Sequence, residues 1–280
     1  MTRKQALRKR AKELLTSKDV VMVIGWRAGK RSGAAQPVFI TRPEDADVLV
    51  FDERCGQNAA NYLPKLKHRG KLAVVAKGCD SRSIVCLIKE HQLDRNQVYI
   101  LGVGCTGANE NGELSDACAT CAYPNPVVFD EMVGEPAPGD KSQTPNPKSQ
   151  VEELPPDERW RALSEDVSRC IRCYACRQVC PNCYCPVCFV DSNNPQWVGK
   201  TTDNSDNMTF HIMRALHMAG RCVECGACSR ACPMGIDLMK FNRKVAQIVK
   251  DRFNAVAGLN PDEPPALTMF DQNDKQEFIH

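Results

Sequence analysis

Two runs of cysteine in the second half of the chain have the residue types and spacing to do chemistry. Cys170-Ile-Arg-Cys173-Tyr-Ala-Cys176-Arg-Gln-Val-Cys180-Pro181 is the first, and Cys222-Val-Glu-Cys225-Gly-Ala-Cys228-Ser-Arg-Ala-Cys232-Pro233 is the second. Each reads C-x2-C-x2-C-x3-C-P, a run whose thiolates hold [4Fe–4S] cubanes. One run can arise by coincidence, but two in register in one chain point to two clusters. A pair of zinc sites is the rival, because C-x2-C pairs also suit tetrahedral zinc. Zinc sites use two separated pairs, whereas four cysteines in one run with a closing proline fit cubanes. Cubanes carry single electrons, so the chemistry these residues imply is electron transfer.

Other cysteines extend the pattern. Cys183, Cys185 and Cys188 lie in the segment between the two runs. Three thiols this crowded favour a further cluster or metal, with a ligand from elsewhere, over packed thiols. Cys183 also competes with Cys180 for the closing position of the first run. The first half carries Cys55, Cys79, Cys86, Cys105, Cys118 and Cys121. Cys86, between Val85 and Leu87, reads as core. The other five stand at strand ends or in loops, and a strand's carboxyl end is where α/β sheets place their sites. Four of Cys55, Cys79, Cys105, Cys118 and Cys121 are expected to converge on a third [4Fe–4S] cluster, against scattered buried thiols. Gly102-Val-Gly104-Cys-Thr-Gly107 matches G-x-G-x-x-G after a strand, but no helix follows, so a phosphate site is poorly supported. Its glycines read instead as backbone passing close to a cluster at Cys105. His211 and His217 read as helix-surface or packed residues rather than ligands, and no catalytic acid, base or nucleophile stands out.

The elements that must position these thiols divide into an α/β amino-terminal domain and a mainly α-helical dicluster domain. Apolar runs at Val20–Ile24, Val38–Thr41, Val48–Phe51, Leu72–Val75 and Val98–Val103 read as strands. Asp80–His91 reads as a helix capped by Asp80, with Ile84, Leu87, Ile88 and His91 on one face. Strand, helix, strand at this spacing predicts a parallel crossover. Residues 1–134 form the first unit, and 135–157, with four prolines among polar residues up to Ser149, form a linker. Residues 158–257 form the cluster domain and 258–280 an irregular tail. Met208–Ala219 and Ile236–Phe253 read as helices. The second has an apolar stripe of Leu238, Phe241, Val245, Ile248, Val249 and Phe253, expected to pack over the clusters.

Composition sets limits on function. Seventeen cysteines in 280 residues are too odd in number for complete pairing, and their metal spacing points to a reducing cytoplasm. The opening residues lack the apolar stretch of a signal peptide and read as a solvated amphipathic helix, with a mitochondrial presequence the alternative. No apolar run approaches the ~18 residues of a membrane span. A net charge of +3, with acids spread among the bases, does not imply nucleic acid.

The two runs resemble those of two-cluster ferredoxins. That resemblance implies crossed ligation: one cluster on Cys170, Cys173, Cys176 and Cys232, the other on Cys222, Cys225, Cys228 and Cys180. Over about residues 165–245 the chain resembles the dicluster subunit of heterodisulfide reductases. Lys77-Gly-Cys-Asp-Ser-Arg-Ser83, Gly102-Val-Gly-Cys-Thr-Gly107 and Cys118-Ala-Thr-Cys121 resemble the beta subunits of deazaflavin-dependent hydrogenases and formate dehydrogenases, over about residues 19–134. Such subunits carry FAD and pass electrons between clusters and the deazaflavin coenzyme. They are longer after the C-x2-C, where this chain soon enters its linker. The resemblance therefore implies an electron-transfer subunit of an anaerobic oxidoreductase complex. Its neighbours would be a heterodisulfide-reductase-like flavoprotein, a formate dehydrogenase or a hydrogenase. The alternatives are a beta subunit that binds FAD and itself reduces or oxidises a deazaflavin or nicotinamide coenzyme, and a metal-stabilised scaffold.

Overall fold

The computed structural model describes residues 1–30, 34–110, 112–139 and 154–268. Helix α1 (Arg3–Thr16) is capped by Thr2, whose hydroxyl accepts from the Gln5 amide, and buries Leu7, Ala11, Leu14 and Leu15. The helix expected to be solvated thus covers the sheet with one face. The strands that follow are β1 (Met22–Ala28), β2 (Ala35–Ile40), β3 (Leu49–Val50), β4 (Leu72–Ala76) and β5 (Val98–Gly102). β6 (Asn109–Glu110) and β7 (Glu113–Leu114) pair antiparallel on their own, and β8 (Glu131–Met132) closes the main sheet.

The main sheet runs β2-β1-β4-β5-β8, with β3 beside β1. β4 is central and buried along its whole length, as a strand covered on both faces must be. It pairs in parallel with β1 (Met22 opposite Leu72) and with β5 (Leu72 opposite Val98 through Ala76 opposite Gly102). β2 and β3 run antiparallel to β1. The crossover from β4 to β5 is α3 (Gly78–Lys89). That helix starts two residues before the expected Asp80. Asp80 acts inside the first turn, where its carboxylate accepts from the Lys77 amide at 2.9 Å and the Ala59 amide at 2.9 Å. Gly78 is required by close approach, since a Cβ there would lie 1.9 Å from the Tyr123 carbonyl oxygen.

The carboxyl-terminal half is helical. Between α2 (Leu63–Leu66), α4 (Asp116–Ala119) and the end of the chain come α5 (Pro156–Ser168), α6 (Ala175–Gln178), α7 (Asn204–His217), α8 (Ala227–Arg230) and α9 (Met239–Phe253). Residues 140–153 of the expected linker, and the tail beyond 268, lie outside the described residues. Ala137, earlier in that linker, is held by paired bonds with the Asn125 amide at 2.8 and 3.0 Å. The stripe on α9 is only partly covered. Leu238 and Val249 are buried, whereas Ile248 and Phe253 are exposed, and Asn242 takes a buried place on the same face.

Arginines join the two halves. Buried Arg82 of α3 donates to the carbonyls of Val223 (3.2 Å) and Ala257 (2.8 Å), and its guanidinium lies over the Tyr123 ring. Arg230 of α8 donates to the carbonyls of Gly56 (2.6 Å) and Cys225 (2.8 Å). Arg221 pairs with Glu90 at 2.6 Å.

Candidate metal centres

The two cysteine runs fold alike. In the first, Arg172 and Tyr174 adopt left-handed conformations (φ 56° and 59°), and in the second Glu224 and Gly226 do (φ 59° and 70°). Left-handed residues at the second and fourth positions after the opening cysteine curl each loop, and a one-turn helix then carries the third cysteine. Amides inside the loops turn toward sulfur: the Arg172 amide donates to Cys170 Sγ at 3.4 Å. Gly226 also sits where a Cβ would come within 2.5 Å of the Ala117 methyl carbon, so this loop abuts α4 of the other half.

One cavity is lined by Cys180, Cys222, Cys225 and Cys228 together, with Arg214, Asn182 and Asn242 in its walls. The fourth thiol of the first run thus faces the first three of the second. On the other side, Cys170 feels both Cys173 and Cys232 as charged neighbours. Burial raises the pKa of Cys170, Cys176, Cys222 and Cys228, that of Cys176 to about 11. Buried thiols that resist ionisation ionise when a metal supplies positive charge, so the donor set suits a cluster.

A second cavity lies at the carboxyl ends of β4 and β5. Cys79, Cys105, Cys118 and Cys121 all line it, with Lys77, Gly107, Ala137 and Cys225. Cys79 is carried by the first turn of α3, and Cys105 follows β5. Cys118 and Cys121 flank the end of α4. Backbone amides again point at sulfur: Gly107 to Cys105 Sγ at 3.4 Å and Ala108 to Cys118 Sγ at 3.2 Å. Burial raises the pKa of Cys79, Cys105 and Cys121. Cys55 does not join them. It is buried in the sheet core, 3.9 Å from the Val50 carbonyl oxygen, and burial pushes its thiol up to about 12. Cys86 is buried, as expected, but against the Arg221 carbonyl at the seam between the halves.

Cys183, Cys185 and Cys188 meet different surroundings. Cys183 bonds to Cys180, which with Arg214 pulls its pKa down to about 6 against burial. Cys188 packs against the apolar cluster that includes Val190 and Phe210 and hydrogen-bonds with Arg177, and Cys185 is exposed. Among the described residues, no three His, Cys, Asp or Glu side chains close on a single metal ion. His211 is buried with an edge against Phe210, and burial lowers its pKa to about 4, so it stays neutral. His217 packs edge-on against Phe189.

Two buried cations were given no role by the motif reading, although Lys77 opens the Lys77–Ser83 run. Lys77 bonds to Asp80 at 3.0 Å and to the Gln57 carbonyl at 2.7 Å, with its ammonium 4.4 Å from the centre of the Trp26 ring. Burial opposes its charge, but Asp80 and the thiols of Cys79 and Cys105 together hold its pKa above the ordinary value. Arg214 donates to the Cys176 carbonyl at 3.1 Å. Its signal in the sequence is an arginine within the buried i, i+3, i+4 series Asn207, Phe210, His211, Arg214, Ala215 and Met218.

Residues 165–236 match the family described as the 4Fe-4S dicluster domain. These residues make this an iron–sulfur protein. Over 118 residues the chain is 32% identical to the F420-dependent formate dehydrogenase subunit beta of Methanocaldococcus jannaschii, covering 42% of the chain but only 30% of that relative. It is 23% identical to the F420-dependent formate dehydrogenase 1 subunit beta of Methanococcus maripaludis, with 91% of each covered. That alignment runs to 358 positions, more than the 280 residues present, so the relative carries residues this chain lacks. Among the described residues, no helix is long and apolar enough to cross a membrane.

Proposed function

We propose that the chain is an electron-transfer subunit carrying three [4Fe–4S] clusters in a row. Cys79, Cys105, Cys118 and Cys121 would hold the first. Cys180, Cys222, Cys225 and Cys228 would hold the middle one, and Cys170, Cys173, Cys176 and Cys232 the last. The single observation that carries this reading is Cys225, which lines the cavity of the middle quartet and also reaches the wall of the amino-terminal one. The amino-terminal and middle quartets then share a wall, and Cys176 of the last quartet has Cys228 of the middle one as an electrostatic neighbour. The backbone N–H···S bonds and the buried thiols are the means by which such a protein tunes potential.

The neighbours would be redox subunits of one complex: a formate dehydrogenase, as the relatives' names support, a hydrogenase or a heterodisulfide-reductase-like flavoprotein. Cytoplasmic placement follows from the reducing conditions that the free thiols need. The rival is a beta subunit that holds FAD and itself exchanges electrons with a deazaflavin or nicotinamide coenzyme.

Anaerobic purification followed by iron, zinc and flavin analysis tests the reading. About twelve irons per chain and no flavin are expected for three cubanes. Cys118→Ser should remove about four irons, while Cys55→Ser should remove none. Stoichiometric FAD would overturn the pure relay, zinc without iron would overturn both redox readings, and iron loss in the Cys55 variant would overturn the choice of four thiols.

A further inference from the structure

Arg214 has no catalytic carboxylate or substrate to serve, yet it lies between two of the thiol quartets. Its side chain projects from α7, is 4% exposed, and lines the cavity of Cys180, Cys222, Cys225 and Cys228. One Nη donates to the carbonyl of Cys176, which belongs to the other dicluster quartet. Its Nε is buried and has no hydrogen-bond partner. Among the described residues no carboxylate forms an ion pair with it. Its electrostatic neighbours are the sulfurs of Cys180, Cys176, Cys228 and Cys183. A desolvated guanidinium is costly unless an anion faces it, and an orphaned donor in a cavity wall marks where that anion belongs.

A cubane held by four thiolates is anionic, and it gains one more negative charge on reduction. A fixed cation beside it in a low-dielectric cavity favours the reduced form more than the oxidised one. Hydrogen bonds to the sulfurs act in the same direction. The amino-terminal quartet is different. Of the two cations in its wall, Lys77 is neutralised by Asp80 at 3.0 Å, and Arg230 donates to the carbonyls of Gly56 and Cys225 and to the Ser115 hydroxyl.

We propose that Arg214 raises the reduction potentials of the two dicluster centres. The inference rests on the three-cluster reading above.

The test is a dithionite titration of the full chain, prepared anaerobically and followed by low-temperature paramagnetic resonance, comparing wild type with Arg214→Gln and Arg214→Lys. In Arg214→Gln the reduced-to-oxidised ratio of the dicluster centres at a fixed poise should fall tenfold or more. For a one-electron couple a tenfold fall corresponds to about 59 mV. The amino-terminal centre should not move, and Arg214→Lys, which keeps the charge but loses the Nε donor, should fall less. Unmoved potentials at full iron content would overturn the inference alone, as would an equal fall at all three centres. If the glutamine variant does not assemble its clusters, the lysine variant decides: a smaller fall confined to the dicluster pair supports the assignment, and no fall overturns it. A wild-type chain with no reducible cubane signal would instead overturn the three-cluster reading and this inference with it.

Discussion

In the carboxyl-terminal half each quartet draws three of its thiols from one short loop, whereas in the amino-terminal half Cys79, Cys105 and the Cys118/Cys121 pair come from three separate places in the chain. The loops of the first kind are built by local backbone. Left-handed residues at Arg172 and Tyr174, and at Glu224 and Gly226, curl the chain whatever surrounds it. The quartet of the second kind exists only after β4 and β5 pair from Leu72 opposite Val98 to Ala76 opposite Gly102. The close approach of Gly78 to the Tyr123 carbonyl must then bring α3 against the segment after Cys121. One half carries its sites in its sequence pattern, and the other makes its site out of its fold. The charges differ in the same sense. The fold-built site has Lys77 paired inside its own helix turn and Arg230 bonded to the carbonyls of Gly56 and Cys225, while the loop-built sites have Arg214, whose Nε has no partner.

The largest expected effect breaks the chain of sites where the two kinds meet. Cys225 belongs to a local loop, yet it lines the fold-built cavity as well. Cys225→Ala should lose about four irons and one cluster's paramagnetic signal, while the α/β half stays folded by circular dichroism. The remaining centres should still reduce with dithionite, but electrons should no longer pass between them. An unchanged spectrum would remove Cys225 from the ligand set.

This division also explains what could be read from residue order. The two runs were legible because their ligands are neighbours in the chain, and the strands β4 and β5 because both are continuous apolar stretches. The choice of four among five thiols was not. Cys55 and Cys79 both follow strands, and only the packed sheet shows that Cys55 turns into the core toward the Val50 carbonyl while Cys79 faces the cavity. Asp80 was recognised as belonging to the start of α3, but its role there is set by Lys77 and by the Ala59 amide, twenty-one residues away. The seam residues Arg82 and Arg230 bond across the seam to backbone carbonyls and, for Arg230, to the Ser115 hydroxyl, which no spacing in the sequence encodes. The insert of residues 181–221 hid Arg214, because its role depends on where α7 packs.

A second prediction separates the two electrostatic designs. Lys77→Gln removes the partner of a carboxylate that is fully buried. Asp80 would keep its two backbone amide donors but lose its counter-charge. Breaking a buried pair in this way costs about 3–5 kcal/mol, read as a lowered midpoint in chemical denaturation under anaerobic conditions. Arg214→Gln removes a cation with no carboxylate partner, so it strands no buried carboxylate and should destabilise the chain less. A Lys77 variant as stable as wild type would mean that the pair is not the neutral unit the geometry describes.

The smallest effect is expected at the thiols that neither design uses. Cys185 is exposed, apart from Cys183 beside Cys180 and from Cys188 beside Arg177. Cys185→Ser should therefore leave iron content, potentials and stability within about 0.5 kcal/mol of wild type, as surface substitutions do. Cys183 is the sharper case, because its bond to Cys180 and its nearness to Arg214 put it at the edge of the middle quartet. Cys183→Ser should keep all the iron if Cys180 is the closing ligand of the first run. The double variant Cys180→Ser with Cys183→Ser should lose the middle cluster's share. If the Cys183 single variant alone loses about four irons, the ligand is Cys183, and the local rule that made the carboxyl-terminal half legible fails at its fourth position.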